Sequence, residues 1–212
     1  MKKILMSMRV TEASNYKEER NSIAFEYIEF FESLDFFIQL VPNNTKYLSE
    51  YFHEKVEAVV LTGGNNVNPK LYKSDEKLED VYDIRDETEQ KLIQEAINKN
   101  IPILGICKGF HLLNVYYGGK ISHNIENHVN KNHTLESSEF ILNGKSANSF
   151  HNQGIYLNDL AKNLEAIAKT KDNIVEAFRH KKDKVFAIQW HPERQNENYD
   201  KELINRFLKG EL

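Results

Sequence analysis

The chain has 212 residues, a formal net charge of −4 and a single cysteine. This length is enough for one domain with a full hydrophobic core, and no repeat, low-complexity tract or linker divides it, so we predict a single domain over residues 1–212. The acidic balance provides no basic surface for nucleic acid, which we exclude as a partner. One cysteine cannot form an internal disulfide and suits a reducing compartment.

The N-terminal segment carries no targeting or membrane signal. Only about five apolar residues lie between Lys3 and Arg9, far fewer than the roughly 20 that a spanning helix needs. We therefore predict a cytoplasmic protein that has no membrane partner.

The first half of the chain alternates short apolar runs with stretches of helical periodicity. The runs predict strands, and the periodic stretches predict helices. The strands are predicted at residues 4–8, 36–41, 58–61 and 101–106, and the helices at 16–34, 46–53, 86–98 and 110–117. Nearly continuous apolar strands that alternate with helices are typical of a parallel sheet covered on both faces.

The second half has a different pattern, in which short strands are separated by turn residues. Strands are predicted at residues 140–142, 164–168, 174–178 and 185–189, followed by a helix over 200–208. The predicted fold class is therefore α/β and flavodoxin-like. It has a mostly parallel central sheet, helices on both faces, and added antiparallel strands in the C-terminal half.

The single cysteine lies in the segment Gly105-Ile106-Cys107-Lys108-Gly109, between a predicted strand and a predicted helix. A strand that stops at Gly-x-Cys-x-Gly and turns into a helix presents sulfur at a helix N-terminus, where the backbone dipoles favour thiolate. A lone cysteine at a strand end is usually a buried small apolar residue. The flanking glycines favour a nucleophile instead.

A histidine follows the last predicted strand, and ligand sites in open parallel sheets form at the carboxyl ends of strands. Of the 8 histidines, only His191 combines a strand end with an acid two positions later, Glu193. We predict Cys107 as the nucleophile, His191 as the base and Glu193 as the acid that orients the imidazole. The alternative is a loop histidine without a catalytic role.

Two further segments are candidates for contact with a substrate. Gly63 and Gly64 end another predicted strand, and their backbone N–H groups could form an oxyanion hole with that of Lys108. A plain tight turn is an equal alternative there. The polar segment 148–153 also has the composition of an ordinary loop.

Histidines that recur every five residues raise the question of a metal site. They are His123, His128 and His133. This spacing does not place the side chains on one helical face, and no cysteine or acid cluster completes a ligand set. We therefore predict no metal site.

These segments, in this order, resemble the class I glutamine amidotransferase fold and, within it, the γ-glutamyl hydrolase branch, peptidase family C26. The resemblance runs from Arg9 to the C-terminal helix. Its carriers are the cysteine segment, Trp190-His191-Pro192-Glu193, Gly63-Gly64 with Pro69 and Tyr72, Arg85-Asp86 with Glu89, Leu112-Leu113-Asn114-Val115 with Gly118-Gly119, and Asn148-Ser149-Phe150-His151.

The resemblance implies a hydrolase that forms a γ-glutamyl thioester on Cys107 and releases L-glutamate. It assigns the oxyanion N–H groups to Gly64 and Lys108. It also implies that a loop holds the amino-acid end of the γ-glutamyl group, with Ser149, Phe150 and His151 as its contacts. The resemblance implies no metal or other cofactor, and the partner is the small-molecule substrate. Whether the protein forms a homodimer is left open.

The sequence departs from the family pattern at two positions. His111 stands where the family usually has a glutamine that helps hold the glutamyl group, and Lys108 stands where arginine is common. Both positions are kept as predicted substrate contacts.

The leaving group stays open among polyamine-pathway amides, folate polyglutamates and nucleotide-linked amides. The chain is most like the family members that act on γ-glutamyl-CDP-amidate. Candidate cations for a pyrophosphate are Arg9, Arg20, Lys108, Arg179 and Arg194. The alternatives are a γ-glutamyl-GABA-type hydrolase, a glutaminase subunit that supplies ammonia to a synthase, and a non-catalytic binding protein.

Overall fold

The computed structural model describes residues 2–212. The strands within that range are β1 (Lys2–Ser7), β2 (Arg9–Glu12), β3 (Glu19–Ser22), β4 (Phe36–Val41), β5 (Ala58–Leu61), β6 (Ile103–Ile106), β7 (Ser122–His123), β8 (Val129–Thr134), β9 (Glu136–Ser137), β10 (Ser146–Phe150), β11 (Gln153–Tyr156), β12 (Leu164–Lys169), β13 (Ile174–His180) and β14 (Val185–Ile188). The helices are α1 (Phe25–Glu32), α2 (Asp83–Asn98), α3 (Lys108–Tyr116), α4 (Pro192–Gln195) and α5 (Asn198–Leu208). Short 3₁₀ turns cover Leu48–Phe52, Pro69–Tyr72 and Leu157–Asp159.

The central sheet has a parallel part and an antiparallel part. Strands β4, β1, β5, β6 and β14 lie side by side in that order and run parallel. Strand β13 joins β14 in the antiparallel direction, and β11 and β12 both pair with β13. This arrangement confirms the predicted α/β class with antiparallel additions in the C-terminal half.

Both faces of the parallel part are buried, which explains the continuous apolar runs of its strands. Successive side chains of a strand point to opposite faces. Leu5 packs in one core cluster with residues of α2 and α3, whereas its neighbours Ile4 and Met6 pack in the other cluster with residues of α1 and α5. The sheet is therefore covered on both sides, as predicted.

The predicted helix over 16–34 is wrong in its first half. Strand β3 occupies part of that range and forms a hairpin with β2, in which the Thr11 and Ser22 hydroxyls lie 2.6 Å apart. Helix α1 begins only at Phe25. The residues from Tyr16 to Asn21 are almost all polar or charged, so they have no apolar face with which a helix could pack on the sheet.

Two other predicted elements differ. The strand predicted at 140–142 is a turn, in which Ile141 and Leu142 are buried as part of the core. The strand pairing in this region is instead made by β8 and β10, a polar antiparallel ribbon. The helix predicted at 46–53 is the shorter 3₁₀ turn Leu48–Phe52.

Across residues 2–212, no helix combines the length and the apolar character that crossing a membrane requires.

Candidate active site

Cys107 stands at the sharp turn between β6 and α3. Its backbone has φ 52° and ψ −100°, a conformation that residues other than glycine rarely adopt. The flanking glycines allow close packing rather than the turn itself. A Cβ at Gly105 would lie 2.6 Å from Leu113 Cδ1, and one at Gly109 would collide with the carbonyl oxygen of Leu61. The helix therefore sits directly against the strands and holds the strained cysteine in place.

The structure brings Cys107, His191 and Glu193 together. Strands β6 and β14 are parallel neighbours with Ile106 opposite Ile188, so Cys107 and His191 follow adjacent strand ends. Nδ1 of His191 lies 2.5 Å from Oε1 of Glu193, and both residues are buried. A Cβ at Gly63 would lie 2.8 Å from Cε1 of His191 and 3.3 Å from Cβ of Cys107. Only a glycine fits between these two side chains.

The electrostatics of this group favour a thiolate–imidazolium pair. Burial by itself would raise the pKa of the Cys107 thiol, but the charge of His191 and its hydrogen bond bring that pKa below its ordinary value. Burial likewise opposes charge on His191. The Cys107 thiolate and the hydrogen bond to Glu193 nevertheless raise the pKa of His191 to about 9. A reactive sulfur therefore lies beside a proton donor.

We expect iodoacetamide to alkylate Cys107 with a pH midpoint below that of a free thiol, because the His191 cation lowers the pKa of the thiol. Replacing His191 with asparagine removes the cation while the thiol stays buried, so the alkylation midpoint should move up to or above the ordinary thiol pKa of about 8.5. Mass spectrometry of quenched samples measures the rate, and glutathione is the free-thiol control. A wild-type profile that follows glutathione would contradict the ion pair.

A cavity of about 220 Å³ opens onto the sulfur. Its wall includes most of the predicted substrate contacts, namely Gly64, Lys108, His111, Phe150 and His151. The backbone N–H of Gly63 donates to the Tyr27 hydroxyl at 2.9 Å, whereas those of Gly64 and Lys108 have no acceptor within residues 2–212. The N–H groups of Gly64 and Lys108 can therefore donate hydrogen bonds to an oxyanion, which is the role that the family resemblance implies for them.

The position of Ser149 differs from that of its neighbours. Its hydroxyl donates to the His128 carbonyl, and it is not among the residues of the cavity wall. The predicted substrate loop around it is largely the end of β10 and the start of β11. Phe150 does face the site, with its ring centroid 6.1 Å from that of His191.

His111, the residue in place of the usual glutamine, is a neutral group in the cavity wall. Burial lowers its pKa to about 3. Its Nε2 has no hydrogen-bond partner within the described range. A neutral imidazole with one unused nitrogen can exchange a single hydrogen bond with a bound ligand.

Sequence reasoning missed a residue that fixes the position of His191. The Asn148 side chain donates from Nδ2 to the His191 carbonyl at 2.8 Å, and its Oδ1 accepts from the His191 N–H at 2.9 Å. Asn148 is part of the family pattern, but it lies 43 residues from His191 along the chain, and no local signal reveals this pairing.

A buried ionic network also supports the site. Nζ of Lys108 contacts Oδ1 of Asp86 at 2.6 Å and also pairs with Glu89, which in turn accepts from Nε of Arg85 at 3.0 Å. Arg85 donates to the carbonyl oxygen of Thr62 at 2.8 Å and also to that of Gly64. The network therefore joins the backbone of the glycine turn to the first residue of α3. The Arg-Asp-x-x-Glu pattern is a family marker in the sequence, but the sequence alone does not reveal this structural role.

The sequence profile of peptidase C26 matches residues 4–193. The chain belongs to the peptidase C26 family. The chain is 34% identical over 209 residues to YvdE, a glutamine amidotransferase-like protein of Lactococcus lactis, and the match covers 88% of this chain and 87% of that one. It is 33% identical over 184 residues to the γ-glutamyl-CDP-amidate hydrolase of Campylobacter jejuni, covering 86% and 85% of the two chains.

The comparison with solved structures agrees with this family assignment. A solved structure of a GMP synthase component from Thermoplasma acidophilum superposes with a TM-score of 0.70 at 21% sequence identity and covers 99% of this chain and 93% of that one. At this identity the likeness shows the class I glutamine amidotransferase fold. The family match and the similarity to the Campylobacter jejuni hydrolase together identify the protein as a glutamine amidotransferase-like hydrolase.

Proposed function

We propose that the protein hydrolyses a γ-glutamyl amide through Cys107 and releases L-glutamate. The observation that carries this proposal is the cysteine in a strained turn, beside an imidazole whose other nitrogen lies 2.5 Å from the Glu193 carboxylate. The wall of the cavity at the sulfur also includes Gly64 and Lys108, whose backbone N–H groups have no acceptor within residues 2–212 and are therefore available to an oxyanion. A non-catalytic binding protein would have no need of this combination.

The mechanism has two halves. The Cys107 thiolate attacks the γ-carbonyl carbon, and the oxyanion binds the N–H groups of Gly64 and Lys108. His191 gives its proton to the leaving nitrogen, the C–N bond breaks, and a γ-glutamyl thioester remains. His191 then takes a proton from water, the hydroxide attacks the thioester, and glutamate leaves as the thiolate is restored.

For the leaving group, we propose the nucleotide-linked amidate, so that γ-glutamyl-CDP-amidate gives glutamate and cytidine diphosphoramidate. Of the candidate cations, Arg9, Lys108 and Arg194 border the cavity that contains Cys107, and the two arginines have side chains available to a ligand. Nε of Arg9 is buried without a hydrogen-bond partner among residues 2–212. The Arg194 guanidinium lies 4.8 Å from the centre of the Phe150 ring. Two guanidinium groups at one rim suit a pyrophosphate.

The other three candidates have close partners elsewhere, whereas Arg9 and Arg194 have only long pairs, with Asp80 at 3.9 Å and with Glu193 at 3.8 Å. Arg20 donates to Glu18 at 2.6 Å on the exposed hairpin, and Arg179 pairs with Glu139 and Glu165. The Lys108 ammonium belongs to the buried ionic network, so only its backbone N–H is available to a substrate.

Replacing Arg9 or Arg194 with glutamine should raise KM for γ-glutamyl-CDP-amidate about 10- to 100-fold, because each change removes a charged hydrogen-bond donor. KM for γ-glutamyl-GABA, which has no phosphate, should change by less than about threefold in both variants. Steady-state kinetics on the two substrates gives both values, and Arg20→Gln is the matched control. Equal effects on both substrates would show that these arginines do not read the phosphates.

The experiment that tests the function is a comparison of glutamate release from γ-glutamyl-CDP-amidate, γ-glutamyl-GABA and L-glutamine by the protein alone. We expect the highest kcat/KM with the nucleotide-linked amide. A higher value with γ-glutamyl-GABA would favour the other type of hydrolase. Preference for glutamine, with weak activity that a synthase stimulates, would overturn the proposal.

A further inference from the structure

Three buried side chains that have no part in the proposed mechanism converge behind the cavity. His128 precedes β8, His151 lies between β10 and β11, and Glu176 is on β13. Oε1 of Glu176 is 3.8 Å from Nδ1 of His128 and 3.8 Å from Nε2 of His151. One ligand atom from each residue can be chosen so that all three lie within 4.8 Å of one another, and the three residues are 1%, 6% and 0% exposed.

The outer hydrogen bonds of the two histidines fix which nitrogen carries the proton. Nε2 of His128 lies 3.0 Å from Oδ2 of Asp172, and Nδ1 of His151 lies 2.8 Å from the Gln153 carbonyl oxygen. Both partners are acceptors, so these nitrogens carry the protons. In the neutral form of each ring, the other nitrogen therefore presents a lone pair toward Glu176.

The interior of the cluster thus contains acceptors without a donor. Nδ1 of His128, Nε2 of His151 and both carboxylate oxygens of Glu176 are buried and have no hydrogen-bond partner within residues 2–212. Buried acceptors that face one another are costly unless a cation or a proton lies between them. One proton on Glu176 could satisfy only one of the lone pairs, and 3.8 Å is too long for that hydrogen bond.

We propose that His128, His151 and Glu176 bind a divalent transition-metal ion, with Zn²⁺ as the best fit. Two imidazole nitrogens and one carboxylate are ligands that zinc prefers, and ligand atoms about 2.1 Å from the ion lie roughly 3.5 Å apart in tetrahedral geometry. The two distances of 3.8 Å to Glu176 need to close by a few tenths of an ångström, and the distance between the two histidine nitrogens, which is within 4.8 Å, needs to close by about 1.3 Å at most. An acceptor on the second nitrogen of each ring is also the usual support of a histidine that binds metal.

The site is not the histidine triplet considered from the sequence. Of that triplet, His123 bonds instead to the Tyr72 hydroxyl at 2.9 Å, and His133 stacks on His128 with centroids 4.1 Å apart. The proposed ion would tie β13 of the main sheet to the two segments that carry His128 and His151. Since His151 also borders the cavity at Cys107, the ion would fix part of the cavity wall.

The test uses the full-length chain without a histidine tag and with Cys107→Ala, so that the reactive thiolate cannot bind metal. The protein is stripped with a chelator, dialysed, and titrated with Zn²⁺ and with Co²⁺. We expect one equivalent to be retained through gel filtration, an increase in Tm, and visible absorption bands of tetrahedral Co²⁺. These readouts do not depend on hydrolase activity, so this proposal can fail while the proposed function stands, and the reverse.

Two variants in the same background identify the site. Glu176→Gln should lose the retained equivalent, with circular dichroism as the check on folding. Asp172→Asn changes a half-exposed residue that contacts the outer nitrogen of His128 and the Thr170 hydroxyl but none of the proposed ligand atoms, and it should weaken metal affinity about 10- to 100-fold. His53→Ala, at an exposed histidine that pairs with Glu50, should leave binding unchanged.

No retained metal in the folded Cys107→Ala protein would overturn the proposal, and it would leave a protonated Glu176 as the occupant of the cluster. Unchanged affinity in Asp172→Asn would also overturn it, and this result decides the question even if Glu176→Gln fails to fold.

Discussion

Replacing Cys107 with alanine is expected to lower kcat for γ-glutamyl amide hydrolysis by about 10⁴-fold or more, because no other group can form the thioester. The cavity and the oxyanion N–H groups stay in place, so KM should change little. Glutamate release under saturating substrate measures the effect, and the absence of an acyl-enzyme mass after quenching confirms its cause. Near-normal turnover by Cys107→Ala would end the assignment of the site.

The other two members of the group give a graded control. His191→Asn should lose nearly as much activity as Cys107→Ala, because the thiolate and the proton donor are both lost. Glu193→Gln should lose less, since it orients the imidazole and does not itself react. The Cys107→Ala/His191→Asn double variant should be no slower than the single variants, as expected for residues that act as one unit. Multiplying losses would show that the two residues act independently.

The grouping of Cys107, His191 and Glu193 could be predicted because each of these residues has a local signal in the sequence. Cys107 lies between two glycines where a strand becomes a helix, and His191 follows the end of an apolar strand with an acid two positions on. Carboxyl ends of neighbouring parallel strands meet at one edge of a sheet. The sequence did not show that β6 and β14 are neighbours, and this pairing is what places the two residues side by side.

The features that could not be predicted depend on contacts that are distant in the chain. The β2–β3 and β8–β10 ribbons are polar, so they lack the alternation of apolar residues that reveals a half-buried strand. Asn148 and His191 recognise each other through hydrogen bonds that no spacing rule encodes. A motif shows that certain residues belong together, but only the folded chain shows which atoms they hold in place.

The buried ionic network gives the largest expected effect on stability. Lys108 is 2% exposed and Glu89 is 0% exposed. In Lys108→Met, the Asp86 carboxylate loses its ion-pair partner while remaining buried, and Glu89 keeps only Arg85. Removing one member of a buried ion pair costs about 3–5 kcal/mol, because the other charge is left uncompensated. We expect this loss in the free energy of unfolding, measured by chemical denaturation.

The matched control is Lys55→Met, which removes an ammonium that pairs with Glu57 at 2.6 Å on the surface with 83% of the Lys55 side chain exposed. Surface pairs of this kind contribute about 0–1 kcal/mol, so the control should be nearly neutral. Adding Asp86→Asn to Lys108→Met should recover part of the loss, because it removes the uncompensated charge. Equal effects of Lys108→Met and Lys55→Met would mean that the network contributes no more to stability than a surface pair. In that case, some other contact must hold the glycine turn against α3.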